Sequence, residues 1–273
     1  YCLHQQRIGD TIILGGGGTG VEDNISQLAN ACGDKARQTA VIGVEFAGDF
    51  PKFPDKALSY LEDVCYISCR SKNQAEMVGD VLQRDDVYFN YDNAFALENI
   101  SNPSVIDGER VLGYNARQLT SVWTGDRFEP HPEVGRTSPY EKHLEQAYIQ
   151  VLKRALNAYQ SKGWKIVHLP FAIEDSLYAK TYLRSQTDTF LPYSSDIRDI
   201  TGHVAKCNKI ISTRYHSLIL AIKCQIPVVP ILYAKKCTDL INDLGVDESY
   251  GIKRYDLVNK VNICVDKILE NKG

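Results

Sequence analysis

Short apolar runs alternate with amphipathic stretches of helical period along most of the chain. Continuous or alternating apolar runs predict strands, and apolar residues three and four positions apart predict helices. The predicted strands are residues 11–14, 39–44, 64–69, 86–89, 109–115, 165–169, 210–211 and 228–232. The predicted helices are residues 22–31, 140–162, 174–185, 195–206 and 254–270. Three further helices are predicted: one starts at Pro54, one follows the cap Ser71, and one ends at Pro227. Strands and helices in regular alternation predict an α/β fold with parallel sheets.

Residues 90–108 interrupt this alternation. They are rich in Asn, Asp, Gly and Pro, which are typical of loops. We predict a linker here, so that residues 1–105 form an N-terminal Rossmann-like domain and residues 106–273 a C-terminal one, with a cleft between them. A second polar stretch, residues 123–138, is predicted to be a long loop.

The segment 207–245 carries the clearest chemical signal. Its first apolar run ends at Ser212, and Arg214 and His216 follow at once, before a helix that Pro227 ends. Parallel sheets bind ligands beyond the carboxyl ends of their strands, and a helix N-terminus attracts anions. Arginine grips phosphate or carboxylate in two places, and histidine donates a hydrogen bond or moves a proton near neutral pH. The pattern fits an anion site, and it fits equally well a surface arginine beside a histidine bonded to the backbone.

A glycine run, residues 15–20, directly follows the first predicted strand. Glycine lets a backbone approach a ligand closely, which makes Gly16 and Gly17 candidates for substrate binding. The run lacks the Lys-Ser/Thr pair of a P-loop, and no acidic partner for a dinucleotide ribose can be placed. A plain structural turn and a close approach to a ligand are equally compatible with the run.

Several further cations follow predicted strands. They are Arg70, Arg117, Lys235 and Lys236. A single charge of this kind is usually solvated, but four of them together with Arg214 favour an anionic ligand at the carboxyl edge of the sheets. Glu174 and Asp175 follow the strand at 165–169. They are interpreted as a helix-capping pair or, alternatively, as the base for a sugar hydroxyl.

Composition narrows the class of protein. The 273 residues carry a net charge of −3, without the basic field of most nucleic-acid binders. No apolar run approaches the roughly 18 residues of a membrane span. The eight cysteines are scattered without a C-x-x-C pair, which argues against zinc, and a cytoplasmic location is expected.

Four segments of the sequence together resemble the polysaccharide pyruvyl transferase family. They are residues 12–18 (IILGGGG), 69–75 (CRSKNQA), 91–95 (YDNAF) and 212–217 (STRYHS), the last followed by Ala221, Pro227, Tyr233, Lys236 and Leu244-Gly245. The block around Arg214 is the most specific of them. Ser71 stands where the family usually has Asp, and Tyr215 stands where leucine is commoner.

The resemblance implies a two-domain fold of the glycosyltransferase B type, with the acceptor on the N-terminal side and the donor on the C-terminal side. The implied activity is transfer of a pyruvate ketal group from phosphoenolpyruvate to a sugar of a cell-surface polysaccharide, such as an exopolysaccharide, or to its precursor. Arg214 and His216 are implied as the catalytic, donor-holding pair, and Arg117 is our candidate for a further donor-binding arginine. We also expect substrate contacts from Ser217, Tyr233, Lys236, Gly16, Gly17 and Arg70. No metal or cofactor is expected, and the acceptor is a saccharide or a lipid-linked saccharide met at the membrane surface.

Two other functions compete with this interpretation. One is a nucleotide-sugar glycosyltransferase of the same fold, and the other is a non-catalytic subunit of a glycan assembly complex. Only ten residues precede Thr11, whereas a complete N-terminal Rossmann half opens with one more strand–helix unit. The N-terminal domain is therefore expected to be shortened, either because the sequence is a fragment of a longer chain or because the domain itself is reduced.

Overall fold

The chain forms two α/β units. The computed structural model describes residues 6–8, 11–98, 109–132 and 141–270. Unit 1 comprises residues 1–97 with 242–245, and unit 2 comprises residues 98–241 with 246–273. The predicted boundary between residues 105 and 106 lies outside the described residues.

Unit 1 is one sheet packed against helices. Its strands are β1 (Gln6–Ile8), β2 (Thr11–Gly20), β3 (Thr39–Phe46), β4 (Tyr66–Cys69) and β5 (Val87–Phe89), and its helices are α1 (Glu22–Cys32), α2 (Asp55–Asp63) and α3 (Lys72–Leu82). The strands lie in the order β1-β2-β3-β4-β5, and all neighbours are parallel except β1 and β2. The core joins strand residues such as Val41 and Phe46 to helix residues such as Leu28, Leu61 and Val78. Burying this apolar face is what holds the helices on the sheet.

The glycine run differs from its prediction. The strand does not end at Leu14, because β2 continues through the glycines to Gly20 and stays paired with β3. The register shifts between Gly17 and Gly20, as in a β-bulge. Gly16 and Gly17 have φ values of +79° and +65°, which glycine adopts at little cost. The run is therefore the irregular end of a strand, held by the ladder to its neighbour.

Unit 2 is built on a six-stranded parallel sheet. Its strands are β6 (Val111–Tyr114), β9 (Lys165–His168), β10 (Thr189–Phe190), β11 (Lys209–Ser212), β12 (Val228–Leu232) and β13 (Ile252–Lys253). A separate hairpin of β7 (Ser121–Trp123) and β8 (Phe128–Pro130) lies between β6 and β9 in the chain. Its helices are α4 (Glu141–Gln160), α5 (Ile173–Tyr182), α6 (Ile197–Val204), α7 (Tyr215–Lys223), α8 (Lys235–Asp243), α9 (Arg254–Asn259) and α10 (Val261–Glu270). The sheet order is β10-β9-β6-β11-β12-β13. This is the doubly wound Rossmann order, and it reverses direction between β6 and β11, where such sheets bind ligands.

Several segments of unit 2 depart from the prediction. The stretch predicted as a long loop overlaps the hairpin of β7 and β8, in which the Trp123 and Phe128 rings lie 4.9 Å apart. The predicted helix 254–270 is two helices, because Lys260 has a non-helical backbone. The break allows both parts to pack on α4. The short edge strands β10 and β13 were not predicted, since two residues carry almost no periodic signal.

Gly113→Ala is expected to lower the free energy of unfolding by about 1–3 kcal/mol through overpacking. A Cβ at this central position of β6 would lie 2.6 Å from Sγ of Cys207 and 2.8 Å from Cδ1 of Leu169. Urea unfolding measures the loss. The control is Gly202→Ala inside α6, where a Cβ meets no atom within 4 Å and where we expect a gain of about 0.5–1 kcal/mol. Equal unfolding midpoints for Gly113→Ala and the unchanged protein would contradict the close packing seen here.

Candidate functional site in unit 2

The carboxyl ends of β6, β11 and β12 bring the predicted site residues of unit 2 together. Arg117 follows β6, Arg214 follows β11, and Tyr233 follows β12. The three strands are parallel neighbours in the sheet, so their carboxyl ends share one edge. This edge lies at the reversal of strand order, where an open α/β sheet offers a crevice.

Two helices begin at this edge with cations. Arg214 is the N-cap of α7, and its side chain makes no capping hydrogen bond. Lys235 and Lys236 are the first two residues of α8, and neither helix has an acidic residue in its first turn. A cation at the positive end of a helix dipole is unfavourable by about 0.3–1 kcal/mol. The local arrangement therefore favours an added anion, which both the dipoles and the side chains attract.

Arg214 is held by a buried carboxylate. Its Nε donates to Oδ1 and Oδ2 of Asp175 at 3.0 and 3.1 Å, and its Nη2 also donates to Oδ1. Asp175 is fully buried, and it accepts hydrogen bonds from the backbone amides of Phe171 and Ala172. Burial raises the pKa of Asp175, while Arg214 and the Phe171 amide pull that pKa down. Of the predicted capping pair, Asp175 makes the capping contact, because it accepts the backbone amide of Ala172, the N-cap of α5. The same carboxylate also forms the ion pair with Arg214.

Asn115 holds the backbone of the same turn. Its Oδ1 accepts from the amides of Thr213 and Arg214 at 3.0 and 2.6 Å and from the Ser217 hydroxyl at 3.3 Å. Its Nδ2 donates to Oδ2 of Asp175 at 3.3 Å. Sequence reasoning did not single out Asn115. The available signal was its place as the first polar residue after the strand that became β6.

Arg117 packs against Tyr233. The guanidinium carbon lies 4.5 Å from the centre of the Tyr233 ring, and Nε donates to the Gln118 carbonyl at 3.1 Å. Burial raises the pKa of the Tyr233 phenol, whereas the charges of Arg117 and Arg214 act to lower it. The contact of Arg117 with Tyr233 thus joins the segments that follow β6 and β12.

The loop after Arg117 is tied down by α4. Glu145 accepts hydrogen bonds from the amides of Leu119 and Thr120, and Tyr178 donates its hydroxyl to the same carboxylate. The hydroxyl of Tyr148 accepts from the Arg117 amide at 3.4 Å and bonds with the Thr213 hydroxyl at 2.9 Å. Tyr148 therefore bridges the turns that carry the two arginines.

His216 and Lys236 both lie close to the ring of Tyr215. His216 is the second residue of α7 and is exposed, with its ring 5.5 Å from that of Tyr215. Nζ of Lys236 lies 5.8 Å from the centre of the Tyr215 ring. The N-terminal turns of α7 and α8 are thus joined through one aromatic side chain, and each carries a group able to meet an anion.

Ser217 departs from its expected role. Its side chain is fully buried, and its hydroxyl bonds with Ser212, with the Arg214 carbonyl at 2.8 Å and with Asn115. The hydroxyl therefore stabilises the turn and is closed off from a ligand. Sequence spacing could not show this, because the third residue of a helix faces outward or inward depending on the packing around it.

The three remaining candidates belong to unit 1. Arg70 is buried and paired with Glu45 and, at 3.2 Å, with Asp92. An anionic ligand would have to compete with these carboxylates. Gly16 and Gly17 are half-buried, and a Cβ added at either position would meet no atom within 4 Å. Glycine is therefore favoured at these positions by their positive φ values and not by crowding from other parts of the protein.

Metal-binding clusters and membrane-spanning helices are both absent from the described part of the chain. Among the described residues, no group of three or more His, Cys, Asp or Glu side chains is arranged to hold a metal ion. Within the same residues, no helix combines the length and apolar character needed to cross a bilayer.

Three solved enzyme structures resemble this chain to different degrees. A UDP-N-acetylglucosamine 2-epimerase, as it is described, from Listeria monocytogenes superposes with a TM-score of 0.53 at 11% identity, covering 95% of this chain and 68% of its own. The UDP-GlcNAc 2-epimerase of Neisseria meningitidis, bound to UDP-GlcNAc, has a TM-score of 0.47 at 11% identity and covers 90% of this chain and 75% of its own. A UDP-forming trehalose-phosphate synthase of Burkholderia vietnamiensis has a TM-score of 0.40 at 10% identity and covers 90% of this chain and 78% of its own. No curated protein sequence matches the chain.

The fold defines an α/β protein of the glycosyltransferase B class with two Rossmann-like units, as predicted. The sequence model of the polysaccharide pyruvyl transferases matches residues 5–235. The chain belongs to the polysaccharide pyruvyl transferase family, and the predicted family and enzyme class are confirmed.

Proposed function

We propose that the enzyme transfers a pyruvate ketal group from phosphoenolpyruvate to a sugar of a cell-surface polysaccharide or of its precursor. The observation that supports this most is the start of two adjacent helices with cations, Arg214 on α7 and Lys235 and Lys236 on α8. Phosphoenolpyruvate carries a phosphate and a carboxylate, so it needs several positive groups. Arg117, Arg214 and His216 are the proposed donor ligands, with Lys236 and Tyr233 beside them.

The reaction needs an acid, a base and cations that hold the leaving phosphate. A proton added to the methylene carbon of phosphoenolpyruvate leaves an oxocarbenium-like carbon, which one sugar hydroxyl attacks. A second hydroxyl of the same sugar then displaces inorganic phosphate and closes the ketal, with both hydroxyl protons released. We assign His216 as the acid or as a phosphate ligand, because it is exposed at the first turn of α7. The scheme requires no metal or cofactor.

The proposed acceptor is a saccharide, free or lipid-linked. The enzyme is proposed to act in the cytoplasm, and a lipid-linked acceptor would be met at the membrane surface. Mass spectrometry of candidate glycans incubated with phosphoenolpyruvate tests the reaction, since the product gains the mass of pyruvate minus water. Thermal shifts separate the competing nucleotide-sugar glycosyltransferase, which would be stabilised by UDP-sugars and not by phosphoenolpyruvate. A non-catalytic subunit would release no phosphate with any acceptor.

His216→Ala is expected to lower kcat by about 10²–10⁴-fold, the range for loss of a general acid. Phosphate release in the presence of phosphoenolpyruvate and an acceptor glycan measures it. His143→Ala is the matched control, because His143 is also an exposed histidine near the start of a helix, here α4. Normal turnover in His216→Ala would remove His216 from the mechanism.

A further inference from the structure

The guanidinium of Arg214 is already bound along one edge. Asp175 takes the Nε–H and an Nη2–H. A guanidinium has five N–H donors in a rigid plane, and Nη1 has no hydrogen-bond partner among the described residues. Asp175 thus fixes the plane of Arg214 and leaves its end available for an incoming group.

Asp175 is itself fixed from several directions. It is fully buried, and its Oδ2 accepts from the Phe171 amide, the Ala172 amide and Nδ2 of Asn115 at 3.0, 3.1 and 3.3 Å. The first two bonds anchor it to the N-terminus of α5, and the third anchors it to the end of β6. Its carboxylate is therefore held as a rigid support for the arginine.

Asn115 fixes the main chain of Arg214 while Asp175 fixes its side chain. The Asn115 Oδ1 accepts the amides of Thr213 and Arg214, which places the N-cap of α7 relative to β6. The two supporting side chains are bonded to each other. Turns after three neighbouring strands, β9, β6 and β11, are thus joined at one arginine.

Stability alone does not account for this arrangement. A buried ion pair costs about as much desolvation as it returns in attraction, and an arginine is the wrong sign for the N-cap of a helix. Holding a ligand-binding group in the productive geometry does account for it, because catalytic and binding groups depend on supporting hydrogen bonds for their orientation.

We infer that Asp175 and Asn115 are positioning residues that orient Arg214 toward the anionic group of the substrate. The identity of that group as part of phosphoenolpyruvate rests on the proposed function. Neither residue contacts the substrate in this scheme, and both act through Arg214.

The test compares Asp175→Asn with the unchanged full chain by two measurements. Proton–nitrogen NMR of arginine Nε–H groups reports how well ordered the Arg214 side chain is in the absence of any ligand. The Arg214 signal is identified as the one that is missing from the spectrum of Arg214→Lys. We expect that signal to disappear or broaden in Asp175→Asn. Calorimetric titration with phosphoenolpyruvate should show affinity falling about 10–100-fold, the size expected for a lost charge-assisted support, and Asp175→Glu should recover part of it. If Asp175→Asn does not fold, Asn115→Ser is measured in the same way.

Asp188→Asn is the control. It makes the same carboxylate-to-amide change in unit 2. Asp188 accepts a hydrogen bond from the Ile166 amide near the start of β9, away from the carboxyl ends of β6, β11 and β12. We expect an unchanged Arg214 signal and unchanged affinity. An ordered Arg214 signal in Asp175→Asn would overturn the inference whether or not phosphoenolpyruvate binds. A different result separates the two claims. If the Arg214 signal is sharp in the unchanged protein and is lost in Asp175→Asn, but the unchanged protein does not bind phosphoenolpyruvate, the positioning role is supported and the proposed function is contradicted.

Discussion

Arg214→Ala is expected to lower the free energy of unfolding by about 3–5 kcal/mol, as is typical when one partner of a buried ion pair is removed. The change leaves the carboxylate of Asp175, which is fully buried, without its cation. Chemical unfolding at neutral pH measures the loss. Activity should disappear as well, because the same side chain is a proposed donor ligand.

A second substitution separates the two effects. Asp175→Asn added to Arg214→Ala removes the buried charge, so the double variant should regain most of the lost stability while staying inactive. If the double variant is no more stable than Arg214→Ala, the buried carboxylate is not the cause of the loss.

The pH dependence of Arg214→Ala carries the same information. Burial raises the pKa of Asp175, and Arg214 is the strongest influence acting against that rise. Without Arg214 the folded-state pKa moves further above the unfolded value of about 3.9. A carboxyl group with a raised pKa destabilises the fold at high pH and ceases to do so as it takes up a proton. The stability deficit of the variant should therefore shrink as the pH is lowered from neutral.

Much of the site was predictable because it follows from strand order. Arg117, Arg214 and Tyr233 each come directly after an apolar run, and parallel strands place their carboxyl ends at one edge. The pattern of cations after strands therefore placed Arg117 and Arg214 at such an edge, whereas Tyr233 was expected at the site only from the family resemblance. The structure adds that β6, β11 and β12 are direct neighbours, which periodicity cannot determine.

The supporting side chains were not predictable in the same way. Asn115 and Asp175 are separated from Arg214 by about a hundred and about forty residues, and their bonds depend on the packing of three strands. Asp175 carried a local capping signal, and that part was recognised. The ion pair was not, because a long-range partner leaves no periodic trace in a single sequence.

Local rules also failed where neighbouring strands decide the conformation. Glycines favour turns, but the ladder between β2 and β3 continues to Gly20, although Gly16 and Gly17 have positive φ values. Pro130 and the surrounding polar residues predicted a loop, whereas pairing of β7 with β8 makes a hairpin. In both cases hydrogen bonds to a second segment outweigh the intrinsic preference of the residues.

His168 is expected to make unit 2 sensitive to acid. It lies at the end of β9 and is fully buried. Its ring centre is 5.1 Å from that of Tyr114 and 6.0 Å from that of Phe190. Burial lowers the pKa of His168 to about 3, and Lys180 acts in the same direction. The folded protein therefore keeps this imidazole neutral.

The sign of the effect follows from proton uptake. The unfolded chain protonates His168 near pH 6.5, whereas the folded chain does not until the pH approaches 3. Between these values the unfolded state binds more protons, so stability falls by up to about 1.4 kcal/mol for each pH unit of acidification. From about pH 6.5 to pH 4.5 the contribution of this residue is a loss of roughly 2–3 kcal/mol.

His168→Phe is expected to remove this loss. An apolar ring of similar shape no longer needs a proton or a hydrogen-bond partner, so its unfolding free energy at neutral pH should stay within about 1.5 kcal/mol of the original. Urea unfolding at a series of pH values measures the difference between the two proteins. His143→Phe, at an exposed position of α4, is the control for the effect of the substitution itself. Parallel curves for His168→Phe and the original protein would show that the buried imidazole is protonated in the folded state, and the attribution of acid sensitivity to its burial would then be wrong.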